Sequence, residues 1–155
     1  MKPERAHNFG TYFVTAQTWQ RKPLFRSTRM AELLAETLFH YRTSGKYELH
    51  EFVIMPDHIH LIVTPIGITL ERAVQFVKGG FSHRVGTLTP KLEVWQRGFV
   101  DHRIRDAADY AHHREYVVLN PVRARLCEKP EAYLYSSANS RYKLDPLPQR
   151  LKPLV

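Results

Sequence analysis

At 155 residues the chain has material for one hydrophobic core, and its 43% apolar and 12% aromatic content exclude a disordered chain and predict a single domain over residues 1 to 155. Lys and Arg outnumber Asp and Glu by 23 to 15, a formal charge of +8, which nominates nucleic acid as a partner, although a basic surface that merely keeps a protein soluble has the same composition. Cys127 is the only cysteine, which excludes an internal disulfide and a thiolate zinc cluster and fits a cytoplasmic protein, while the lack of an apolar leader and of any run of about 18 apolar residues argues against secretion and membrane contact.

Residues 11 to 18, Thr-Tyr-Phe-Val-Thr-Ala-Gln-Thr, are β-branched and aromatic and run into a polar stretch ending at Pro23, which predicts a first strand. From Thr28, apolar residues Met30, Leu33, Leu34, Leu38 and Tyr41 recur at helical spacing until Ser44-Gly45 supplies a stop. Tyr47 to Met55 and His58 to Thr64 are two β-rich runs around Pro56-Asp57, the pattern of an antiparallel hairpin. Thr69 can cap a second helix with Leu70, Ala73, Val74 and Val77 on one face, and Gly79-Gly80 predicts a bend before Phe81 to Val85. A further strand falls within Val94 to Ile104, and Asp106 can cap a helix that runs to about Asn120 and ends at Pro121. The proline-rich stretch from Glu128 predicts a packed extension that loosens from about residue 138 toward the C-terminus. The element order predicts an α+β fold, a ferredoxin-like antiparallel sheet with helices packed on it.

Two clusters carry chemistry. His58 and His60 alternate across Ile59, so on a strand both imidazoles share one face and can reach one metal ion. A bare H-x-H is also what two surface or hydrogen-bonded histidines look like. Its place between a turn and Leu61-Ile62-Val63 favours a ligand role, because imidazoles interrupting an apolar strand cost desolvation unless something binds them. On the last helix Tyr116 and Asn120 are four apart and share one face; spacing alone equally describes a core aromatic and a helix C-cap. Asp57 is either a hydrogen-bonding partner of a histidine or a turn-forming aspartate, and it is left out of the predicted site.

The run Met55-Pro56-Asp57-His58-Ile59-His60-Leu61-Ile62-Val63, followed by Tyr116-Val117-Val118-Leu119-Asn120-Pro121-Val122-Arg123-Ala124, resembles the REP-associated tyrosine transposases, which are single-tyrosine HUH nucleases. The likeness extends to Tyr12-Phe13-Val14-Thr15, Pro23-Leu24-Phe25, Trp95-Gln96-Arg97-Gly98-Phe99, Asp101-His102-Arg103-Ile104-Arg105 and Tyr135-Ser136-Ser137-Ala138, nearly the whole chain. Related insertion-sequence transposases carry Gln four residues after the tyrosine, where this chain has Asn120.

The resemblance implies a metal-dependent endonuclease and strand transferase acting on single-stranded or hairpin DNA. Tyr116 would be the nucleophile, and His58, His60 and Asn120 the ligands of Mg²⁺ or Mn²⁺. Arg97, Arg103 and Arg105 are the candidates for DNA contacts. His112 and His113 lie three or four residues before Tyr116 and are considered as its base, although solvated helix histidines fit the same positions. Relatives include monomers and homodimers, so both states stay open. The rival reading is a catalytically silent hairpin-DNA-binding protein.

Overall fold

In a computed structural model that describes residues 10–153, seven main elements follow in chain order. They are β1 (Tyr12–Gln17), α1 (Thr28–Thr43), β2 (Tyr47–Met55), β3 (His58–Pro65), α2 (Leu70–Gly86), β4 (Val100–Arg103) and α3 (Ala107–Arg123). The strands pair antiparallel in the order β2-β3-β1-β4. This is the α+β, ferredoxin-like arrangement that the sequence predicts.

The period of two along each strand sorts the side chains into two layers. Tyr12, Val14 and Ala16 of β1 join Ile59, Leu61 and Val63 of β3 under α1 and α2, where Leu34, Leu38, Val74, Val77 and Phe81 complete the larger core. On the other face Val53, Met55 and Ile62 pack with Ile104, Tyr110 and Val117 beneath α3. Each such side chain, fully buried, contributes about 1.5–3 kcal/mol, which holds α3 to the sheet. A bulge between Leu49 and Glu51 reverses the parity of β2. Leu49 therefore enters the larger core while Glu51, two residues on, meets Arg114 of α3.

The helix starts follow the predicted caps. Thr69 Oγ1 accepts from the Arg72 amide at 3.0 Å, and Asp106 Oδ1 accepts from the Asp109 amide at 2.8 Å. Two boundaries differ from expectation. α2 passes through Gly79-Gly80 without a break; the missing side chain of Gly80 gives room to the Tyr41 ring, which a Cβ there would meet at 2.6 Å. α3 does not stop at Pro121 but continues to Arg123, with the Ala124 amide donating to the Asn120 carbonyl at 3.0 Å. Pro121 is buried, and its packing offsets the amide bond it lacks. Asn120 is thus an interior helical residue rather than a C-cap.

The fourth strand is shorter than the stretch predicted to contain it; Trp95 forms only an isolated bridge with Thr18. The C-terminal stretch does not loosen at residue 138. Ser136 bridges Val53 antiparallel, the Asp145 carboxylate takes two hydrogen bonds of 2.8 Å from Arg42 and one from the Leu49 amide, and Leu151 is buried. Residues 154 and 155 lie outside the described part. Among the described residues no helix is long and apolar enough to cross a membrane.

Candidate active site

His58 and His60 project from β3 toward α3, their rings 4.8 Å apart. Each is fixed by its Nδ1. Thr15, directly opposite His60 in the β1–β3 register, brings its Oγ1 to 2.8 Å from His60 Nδ1. The Asp57 carboxylate lies 2.7 Å from His58 Nδ1, and Arg21 holds its other oxygen at 3.0 Å. With both Nδ1 atoms engaged, each imidazole turns its Nε2 outward from these partners, the usual way a ligating histidine is oriented.

His60 Nε2 is buried and has no hydrogen-bond partner. An orphaned polar atom of this kind costs about 1–3 kcal/mol of desolvation, which a ligand to Nε2 would relieve. Burial, with a smaller contribution from neighbouring His58, pushes the His60 imidazole down to about 3. It is therefore neutral and able to donate a lone pair at physiological pH. Burial raises the Asp57 carboxyl, but the bonds from His58 and Arg21 outweigh that and keep it below the ordinary carboxylate value. Two imidazole nitrogens on one face are donors that manganese and its transition-metal neighbours accept more readily than magnesium does.

α3 brings Tyr116 to this pair. Its ring lies 5.2 Å from the His60 ring and 5.9 Å from Phe13, which itself stacks on His60 at 5.2 Å. The tyrosine remains 40% exposed. Asn120, partly buried, follows one turn later. The helix is pinned by Arg114 Nε on Glu51 at 2.9 Å, while Ser137 donates to the second Glu51 oxygen. Burial raises the Glu51 carboxyl despite these partners.

The three candidate arginines are not brought together. Arg97 lines a shallow cleft of about 270 Å³ with Thr15, Gln17, Phe99 and Val100, beside the partner of His60. Arg105 lies just before α3 and leans on Asp109 at 3.4 Å. Arg103 pairs with Tyr12 in register, so it faces the α1–α2 side, away from the histidines. His113 is tied up by Asp109 and stacked on His102, and His112 is exposed. Thr15 and Phe13 were not predicted as site residues, because only the cross-strand register reveals them. Asp57, left out above, orients His58; its place next to the histidine was the available signal.

The family described as "Transposase IS200 like" matches residues 9–119, a span that includes both histidines and Tyr116. A REP-associated tyrosine transposase of Escherichia coli K12 is 29% identical over 116 residues, covering 74% of this chain and 67% of that relative. The solved structure of a REP-associated tyrosine transposase bound to a REP hairpin superposes with a TM-score of 0.73 over 99% of this chain and 95% of that one. At 24% identity it shares the fold. The resemblance first visible in two short motifs thus extends through sequence and architecture alike, and the chain belongs to the IS200-like transposase family.

Proposed function

We propose that this protein cleaves and rejoins single-stranded DNA at hairpin elements, with Tyr116 as nucleophile and a divalent ion, Mg²⁺ or Mn²⁺, held by His58, His60 and Asn120. The observation that carries the reading is the buried, unpartnered Nε2 of His60 beside the Tyr116 ring. When bound, the ion supplies Lewis-acid polarisation of the scissile phosphate. Two imidazoles in the set favour Mn²⁺ in affinity, while abundance favours Mg²⁺.

In this reading the Tyr116 oxygen attacks phosphorus, the bond to the 3′ oxygen breaks, and the strand is left as a 5′-phosphotyrosine with a free 3′ hydroxyl. A 3′ hydroxyl attacking that ester reverses the step and reseals or transfers the strand without ATP. Thr15 and Asp57 act as positioning residues for the two imidazoles. Arg123, whose guanidinium is 6.0 Å from the Tyr116 ring, is within reach of a phosphate attached there.

The cleft beside Thr15 offers Arg97 for a phosphate, an electrostatic grip that holds a single strand without reading every base. Arg105 lies apart from that cleft, just before α3 and held by Asp109. Arg103, on the opposite face, drops out of the proposed contact set. The hairpin-bound relative supports hairpin DNA as the substrate. Tyr116 stands against His60 of its own chain, which supports cleavage within one subunit.

The test is a denaturing gel of protein incubated with single-stranded hairpin oligonucleotides in Mn²⁺ or EDTA. A covalent adduct that requires metal and disappears in Tyr116→Phe is expected. Nicking that survives Tyr116→Phe would make water the nucleophile, and tight binding with no adduct in the unmodified protein would leave a silent hairpin-binding protein.

A further inference from the structure

β4 and the first turns of α3 gather a second set of ligand-forming side chains that the tyrosine site does not use. His102 Nε2 lies 2.8 Å from Asp109 Oδ2, and His113 Nδ1 lies 3.2 Å from Asp109 Oδ1. The two imidazoles stack with centroids 4.5 Å apart and planes 15° from parallel. One donor atom from each of the three residues falls within 4.8 Å of the others. We propose that His102, Asp109 and His113 form a second metal site, for a transition-metal ion of the zinc class, which braces the start of α3 against β4.

The donor chemistry selects the ion. Two imidazole nitrogens and one carboxylate oxygen are the ligands zinc and its neighbours accept, whereas calcium and magnesium take sets made mainly of oxygen. Asp109 supplies the carboxylate of the set. Its side chain is 6% exposed, and it is held by the Arg105 amide at 2.9 Å, so one ligand is already fixed. A zinc ion sits about 2.0–2.2 Å from each nitrogen or oxygen donor, so closing the set requires the imidazoles to draw in by rotation about their side-chain bonds. His113 would release the 2.8 Å bond that its Nδ1 makes to the Asp109 carbonyl. The His102 side chain is 39% exposed, which leaves an entry path and room for a water as fourth ligand.

The site adjoins the tyrosine centre without sharing a ligand. The His113 ring tilts against Phe13 at 4.9 Å, and Phe13 is the ring that stacks on His60 and meets Tyr116. An ion here would stiffen that shared wall. The inference does not depend on the nuclease reading, since it rests on different ligands.

The experiment is titration of chelator-treated full-length protein with Co²⁺, read by visible absorption, and with Zn²⁺, read by competition with a coloured chelator. A His58→Ala/His60→Ala variant is expected to take up one equivalent, and the same variant carrying His113→Gln to take up none. His113→Gln keeps a side-chain donor for the Asp109 carbonyl, and its unfolding midpoint in EDTA reports that the fold is retained. In a parallel titration the unmodified protein is expected to bind two equivalents and His113→Gln alone one. If the His58→Ala/His60→Ala variant binds no ion, or if uptake survives His113→Gln, the triad is only a hydrogen-bonded brace and the proposal fails. If the unmodified protein binds a single equivalent that is lost in His113→Gln, the second site stands and the metal reading of His58 and His60 fails.

Discussion

Replacing Thr15 by Val keeps the shape of the side chain and removes only the hydroxyl 2.8 Å from His60 Nδ1. The imidazole, 4% exposed, would then carry two buried nitrogens without partners instead of one. One further orphan costs about 1–3 kcal/mol, so urea unfolding in EDTA should show that loss. The same hydroxyl orients Nε2, and losing such an outer partner weakens metal affinity roughly 10- to 100-fold. At a Mn²⁺ concentration of about 100 times the unmodified protein's Kd, metal stabilises that protein by about 2.7 kcal/mol. At the same concentration Thr15→Val should gain only about 1.4 kcal/mol for a tenfold loss, or about 0.4 kcal/mol for a hundredfold loss. The measurement is the paired set of urea curves, with EDTA and with Mn²⁺, for both proteins. Equal metal-dependent gains in the two would refute the argument, even if the metal-free stability had dropped, because Thr15 would then pack without orienting a ligand.

Three further outcomes follow from other parts of the molecule. His60 is held near 3 against an ordinary 6.5, so below about pH 6.5 the unfolded chain takes up a proton that the fold refuses; metal-free stability should fall from there toward pH 3, by up to roughly 5 kcal/mol, and His60→Asn should flatten that slope in urea midpoints taken across the range. The depressed carboxyls of Asp57 and Asp109 add a loss of the same sign that begins lower, near their unfolded value of 3.8. Gly79→Ala places a Cβ in open space inside α2 and should raise stability by about 0.5–1 kcal/mol in thermal unfolding, whereas Gly80→Ala should gain less because its Cβ displaces the Tyr41 ring. For hairpin DNA, Arg97→Gln should lower the slope of log K against log salt by about 1, and Arg103→Gln should leave it unchanged, as read by anisotropy at several salt concentrations.

The parts of this molecule that follow a local rule could be read directly. His58 and His60 share a face because strand side chains alternate, and Tyr116 and Asn120 share one because helical neighbours recur every four residues. The caps at Thr69 and Asp106 are equally local. What the sequence hid depends on residues far apart. Thr15 becomes a partner of His60 only through the register that sets β1 against β3, 45 positions away. Arg103 groups with Arg97 and Arg105 in sequence, but the separate pairing of β1 with β4, which sets it opposite Tyr12, turns it to the other face. Pro121 misled for a different reason: a proline's penalty is local and visible, while the burial that offsets it is not. The bulge that aims Glu51 at Arg114 also follows from pairing rather than composition.

The stretch after α3 has a topological consequence. It lies along the outer side of β2, with the Ile54 amide donating to the Tyr135 carbonyl and the Ser137 amide to the Phe52 carbonyl, both at 2.8 Å. Farther on, Arg42 clasps Asp145 and Arg150 reaches Thr11 at 2.9 Å. The helix that carries Tyr116 is therefore fastened on both sides, by β4 ahead of it and by this clasp behind. Passing α3 to a neighbouring copy would first require local opening that peels the clasp from β2. The same clasp occupies the amide row of an outer strand that would otherwise template pairing with another chain, which makes removal of residues after Arg123 a route to aggregation as well as to a loosened tyrosine.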